Sequence, residues 1–301
     1  MTELGIRQLP QPGPTDPVRI ESLEGRGQAL DLDLKPGLSL IDAIAKPLLA
    51  AGFEAAAVRL EGGSLMPFTY LIPAPSTDAK YAAYYSEPFE PPGETRIEVA
   101  NVSVGRRDGQ PFLHCHGIWV EADGSRRGGH PVPDQTFIAS PPKARAWGLS
   151  EVALYSEFDP ETNFTLFHPV GAGRPAASSG PRVVVARIRP NEDVSASVEE
   201  ICRKHGFAGA IVRGSIGSVI DPLFADGRKV EADSTELLVL DGVVWSDMSS
   251  KLQSRLEVAL VDTEGRVHQG QLVPGRNPVC ITFELVLEEQ PSGSTGQPAF
   301  V

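Results

Sequence analysis

A chain of 301 residues with 41% hydrophobic content can bury a core in each of two ordinary domains, which excludes a disordered chain or a single small module. Its 27 basic and 39 acidic residues give a formal charge of −12. Such a field repels phosphate backbones, so direct DNA binding is disfavoured.

Met1 to Thr15 carries early Pro and Gly and no apolar run of signal-peptide type. No stretch approaches the roughly 18 uninterrupted apolar residues of a membrane span. Cys115, Cys202 and Cys280 are far apart and lack C-x-x-C spacing, which predicts reduced, buried thiols and a cytoplasmic setting with no membrane partner. Residues 1–17 and 290–301 read as tails. The Gly-, Pro-, Ala- and Ser-rich run 168–181 (HPVGAGRPAASSGP) reads as a linker between domains at 18–167 and 182–289.

In the first half, Leu40, Ile41, Ile44, Leu48 and Leu49 recur at helical spacing after a capping Ser39, and Gly52 closes the helix. Strands follow at 55–60, 97–104, 112–120, 136–139, 152–156 and 165–167. In the second half, Ser197 to Glu200 reads as a capping box and Gly206 as the helix stop, with strands at 208–213, 236–240, 255–261 and 278–287. One main helix and hairpin-linked strands in each half predict an α+β fold with mostly antiparallel sheet.

The halves are copies. With Gly52-Phe53 placed over Gly206-Phe207, 154 residues on, Ala56, Val58, Arg59, Gly63 and Ser64 fall on Ala210, Val212, Arg213, Gly217 and Ser218 without a gap. Further along, Gly124 and Gly129 fall on Gly265 and Gly270, 141 residues on. The shortening maps to the Tyr- and Pro-rich loop Ser76 to Gly93, which is specific to the first copy and placed where function often resides. Gly62-Gly63 and the Gly-Ser run 214–218 read as turns, and Arg59 and Arg213 either bind an anion or, the favoured reading, pair with acidic neighbours.

One cluster looks like a ligand set: His114-Cys115-His116, Asp123-Gly124, then Gly128-Gly129-His130. Residues two apart on a strand share a face, so His114 and His116 project together while Cys115 points away. A two-residue turn at Asp123-Gly124 sets His130 on the wrong face. The triad then needs a bulge at Gly128-Gly129 or a ligand shared across subunits. Three imidazoles suit zinc foremost among divalent transition metals, and also nickel, copper or iron; the other reading is of polar residues on a half-exposed sheet face. The second copy has Arg255, Glu257 and Gln271 at the same places, which suits a structural role with an Arg255–Glu257 ion pair.

At these residues the chain resembles the PPC domain, also called DUF296, the plants and prokaryotes conserved family. The resemblance is carried by AAAVRLEGGSL (55–65), IEVANVSVG (97–105) and FLHCHGIWVEADGSRRGGH (112–130) in the first copy. In the second it is carried by GAIVRGSIGSV (209–219), LLVLDG (237–242) and LEVALVDTEGRVHQGQL (256–272). It implies an α+β fold, assembly as a homo-oligomeric trimer, and His114, His116 and His130 as metal ligands near a subunit boundary, with the second copy degenerate. Plant members use a basic AT-hook; Glu24-Gly25-Arg26-Gly27 and Gly173-Arg174-Pro175 lack its basic flanks.

The sequence therefore predicts a cytoplasmic, oligomeric metal- or small-ligand-binding module. Whether it is an enzyme stays open. A metal-dependent hydrolase or lyase is one alternative, with Glu121, Asp123, Tyr84, Tyr85 and Glu87 as positional candidates for a base. A DNA-associated regulatory scaffold acting through protein partners is the other.

Overall fold

A computed structural model describes residues 6–172 and 180–290. The first half holds β1 (Ile20–Leu32), α1 (Leu40–Ala50), β2 (Ala56–Glu61), β3 (Ser64–Leu65), β4 (Tyr70–Leu71), β5 (Pro73–Pro75) and β6 (Ala83–Tyr85). It continues with β7 (Thr95–Arg107), β8 (Gln110–Val120), β9 (Arg126–Pro131), β10 (Ile138–Ser140), β11 (Lys143–Ser150), β12 (Val152–Phe158) and β13 (Thr165–Gly171). The second half holds β14 (Arg182–Ile188), α2 (Val194–Lys204), β15 (Gly209–Val219), β16 (Glu236–Ser246), β17 (Leu252–Val261), β18 (Val267–Gln271) and β19 (Val279–Glu289). Strands dominate, their long pairings are antiparallel, and among the described residues no helix is long and apolar enough to cross a membrane.

The main strands run in the order β9-β8-β7-β2-β11-β1 in the first half and β18-β17-β16-β15-β19-β14 in the second. β1 joins them: its residues from Arg26 onward pair with β11, and Ile20 to Arg26 pair with β14. The two faces then pack on each other. Leu238, Ala259 and Val261 of the second half enter the first half's apolar core, and Asn101 of β7 donates to the carbonyls of Ser215 (3.2 Å) and Val239 (3.0 Å).

Matching positions recur at the spacings found in the sequence. α1 and α2 start and end 154 residues apart, and their N-caps are Ser39 and Asp193. Gly124 and Gly265 share φ values of 85° and 74°, and Gly129 and Gly270 share 151° and 159°.

Several expectations need correction. Asp193 caps α2, accepting from Ala196 N at 2.9 Å, and Ser197 lies buried inside the helix. Residues 214–218 continue strand β15, where irregular register against β19 takes up the glycines; Gly62 and Gly63 do form a turn, both with positive φ. His168–Gly171 belong to β13, so the linker is shorter than 168–181; residues 173–179, including the Gly-Arg-Pro fragment, lie outside the described residues. Glu24 to Gly27 lie within β1.

The segment read as an N-terminal tail is tied down from residue 6. Arg7 pairs with Asp221 and Asp233, and Gln11 Nε2 donates to the Cys280 carbonyl at 2.9 Å. The C-terminal tail beyond 290 lies outside the described residues. All three cysteines are free and buried, and burial pushes the Cys202 and Cys280 thiols up to about 12.

Candidate metal centre

β8 presents His114 and His116 toward the second half and buries Cys115 in the first half's core. The same alternation on β7 turns Asn101, the cross-strand partner of His116, toward the second half. His130 reaches this face without a bulge in β9. The hairpin loop has three residues, not two: Glu121 N donates to Ser125 O at 2.9 Å, and Gly124 takes a left-handed φ of 85°. Asp123 fixes the loop by accepting from Ser125 N at 2.8 Å. The resulting register pairs Gly117 with Gly129 and Val120 with Arg126, which sets His130 opposite His116. The second half repeats it, with Glu257 opposite Gln271.

The three histidines offer ligand atoms that all lie within 4.8 Å of one another. His114 and His116 meet through their Nε2 atoms, 3.1 Å apart. Two nitrogens on one zinc ion at ~2.0–2.1 Å in tetrahedral geometry stand ~3.3 Å apart, so this spacing fits a shared cation. Their other nitrogens are anchored: His114 Nδ1 lies 2.7 Å from Glu284 Oε1 and His116 Nδ1 lies 3.0 Å from the Leu237 carbonyl. A carbonyl only accepts, so His116 donates from Nδ1, and Nε2 is the ring nitrogen that faces inward. Outer bonds of this kind set ring orientation and tautomer in metal-ligating histidines. His130 Nδ1 is buried with no hydrogen-bond partner among the described residues, a cost that a ligated cation relieves.

Two carboxylates of the second half complete the surroundings. Glu236 Oε2 contacts His116 Nε2, and Glu284 holds His114; both glutamates are buried. Burial works to lower the pKa of His114, but Glu284 and then Glu236 outweigh it and raise it. Burial, reinforced by the neighbouring His114 and His116, holds His130 well below the ordinary histidine range. Burial together with Glu236 and Glu284 keeps the Tyr85 phenol protonated far above its usual range. Three imidazoles beside two buried carboxylates form a donor set suited to a divalent transition metal.

The loop specific to the first half does reach the site. Tyr85 sets its ring edge against His130, 5.1 Å between centroids, and Tyr84 and Tyr85 pack with Phe164 from the β12–β13 turn. His114 and His116 border a cavity of about 40 Å³, with Tyr84, Tyr85, Ser218 and Thr282 also on its wall. That space admits a water or two or one small polar group. Of the other residues considered as bases, Glu121 accepts from the Tyr70 hydroxyl at 2.8 Å, Asp123 serves the hairpin turn and Glu87 is exposed.

Arg255 pairs with Asp241 at 2.6 Å, and not with Glu257. Arg59 and Arg213 pair with Glu61 and Glu288, as anticipated. Glu236 and Glu284 were missed by sequence reasoning. Their signal was an acidic residue inside an otherwise apolar strand, clearest in VCITFELVL, because such a charge is buried only with a partner.

Residues 176–291 match the family model of the Plants and Prokaryotes Conserved (PCC) domain. No curated protein matches the chain. Among solved structures, the chain is similar to a plant- and prokaryote-conserved protein of Pyrococcus horikoshii, with 18% identity over 50% of this chain and 96% of that one and a TM-score of 0.38. A metal-containing protein of Archaeoglobus fulgidus is similar at 25% identity over 49% and 96%, TM-score 0.37. A protein of Bacteroides thetaiotaomicron described as a candidate for DNA binding is similar at 11% identity over 49% and 96%, TM-score 0.34. The family match falls on the half without the histidine set, and the expectation against DNA binding gains no support from these likenesses.

Proposed function

We propose, from the premise that residues 176–291 carry a Plants and Prokaryotes Conserved domain, that residues 18–167 are a second copy of that fold and that the pair is a metal-binding module centred on His114, His116 and His130. The repeated element spacing, the matched helix caps and the matched left-handed glycines support the tandem reading. One observation carries the metal reading: two imidazole Nε2 atoms 3.1 Å apart, each on a ring whose Nδ1 is already anchored. Zinc is the first candidate, and any ligand beside it is small, given the cavity. A bound divalent ion would supply Lewis acidity there. Tyr85, held protonated at the cavity wall, would donate a hydrogen bond to the ligand. The assembly is read as a homotrimer on the family resemblance, and its setting as cytoplasmic on the cysteine pattern.

Elemental analysis of protein purified without a metal-affinity tag tests this reading, beside a His114→Ala, His116→Ala double variant and with mass from light scattering. About one transition metal per chain, absent from the variant, is the expected result. No metal in either sample rejects it, and a monomer mass rejects the trimer.

A further inference from the structure

We propose that Glu236 is the fourth protein ligand of the centre, so that the second half closes a site whose imidazoles all come from the first. The inference rests on the metal reading above and adds the identity of the remaining donor.

Glu236 Oε2 contacts the one nitrogen of His116 that its hydrogen bond to Leu237 O leaves free. Residues 236 and 237 of β16 therefore hold the same ring at both nitrogens, and the register of one strand sets both contacts. The Glu236 side chain is only 7% exposed, and a carboxylate that deep in the protein requires a cation or protonated partner. Its charged neighbour Glu284 is of the same sign and is engaged with His114.

The two halves also diverge in a complementary way. At the places where the second half has Glu236 and Glu284, the first has Arg96 and Lys143; where the first has its histidines, the second has Arg255, Glu257 and Gln271. Neither half holds a full donor set, and the face between them brings the two partial sets together. Four protein donors would fill the shell of a tetrahedral zinc, which would then clamp the halves together, with any small ligand in the cavity beside the ion and not on it. A six-coordinate ion such as iron or nickel keeps positions for a small ligand.

Cobalt(II) titration of the intact, metal-stripped chain tests the assignment, read by calorimetry and by the visible d–d spectrum. Wild type is expected to bind about one cobalt per chain. Glu236→Gln should bind at least about tenfold more weakly, with altered band intensities. Glu236→Cys, which does not depend on the glutamine variant folding, should add a near-ultraviolet sulfur-to-cobalt charge-transfer band. Unchanged affinity and spectrum in Glu236→Gln, or a folded Glu236→Cys that binds cobalt without the new band, overturns the assignment and leaves the three-histidine centre standing. Failure of wild type to bind cobalt overturns the metal reading with it.

Discussion

A methyl group at position 129 would stand 2.3 Å from the carbonyl oxygen of Leu71, on a backbone with φ of 151°. Leu71 of β4 pairs with His130, so that close approach is what holds the third imidazole against its neighbours. Gly129→Ala is expected to push β4 away, lowering affinity for cobalt at least about tenfold while the fold survives, as checked by calorimetric titration and circular dichroism. Wild-type affinity in a folded variant counts against this role for Gly129. His114 and His116 were legible in the sequence because strand alternation alone puts them on one face. His130 was harder to place, since its side depends on one residue more or less in the turn, and that is decided by Asp123 and the left-handed Gly124. Glu236 and Glu284 lie more than a hundred residues from the histidines, and only the packing of the halves brings them together.

At the scale of elements, the β12–β13 turn depends on Asp159. Its Oδ1 accepts from the Glu161 and Thr162 amides at 2.9 and 3.0 Å, and its Oδ2 accepts from Arg187 and Arg189 of the segment entering α2. Burial works against the charged carboxylate, yet the two guanidiniums and the turn amides outweigh it and hold the pKa at about 2. Because the folded value lies below that of the unfolded chain, this stabilisation is complete above about pH 4 and is lost as pH falls toward 2. Asp159→Ala leaves Arg187 buried with only the longer contact to Glu21, 3.4 Å, and is expected to cost about 3 kcal/mol at pH 7 in urea unfolding. The difference from wild type should shrink as the pH drops from 4 to 2; a constant difference rejects the linkage. Both helices were readable from apolar spacing and closing glycines, and the long hairpin strands from alternation. β1 was not: IESLEGRGQ puts polar residues on both faces, apolar alternation begins only at Leu30, and its place in the sheet comes from partners far along the chain.

For the whole molecule, the shared strand and the shared core matter more than the resemblance of the halves. β1 is hydrogen-bonded to both, Asn101 is stitched across them, and residues of the second half fill the first half's core. Urea unfolding is therefore expected to be a single transition, coincident by far-ultraviolet circular dichroism and tryptophan fluorescence. Two separated transitions mean that the halves fold independently. The tandem organisation proposed above rests on a repeat read in the sequence; how the halves face each other was not legible there, because no local pattern encodes which sheet face meets which.

The divided loyalty of β1 also bears on how the chain comes off the ribosome. β1 is made before either of its neighbours, and both β11 and β14 follow more than a hundred residues later. Through most of synthesis it is a 13-residue strand with two open edges. Long-range pairing of this kind is slow, and the waiting edges are available to neighbouring nascent chains, so yield in cells should depend on chaperone capacity.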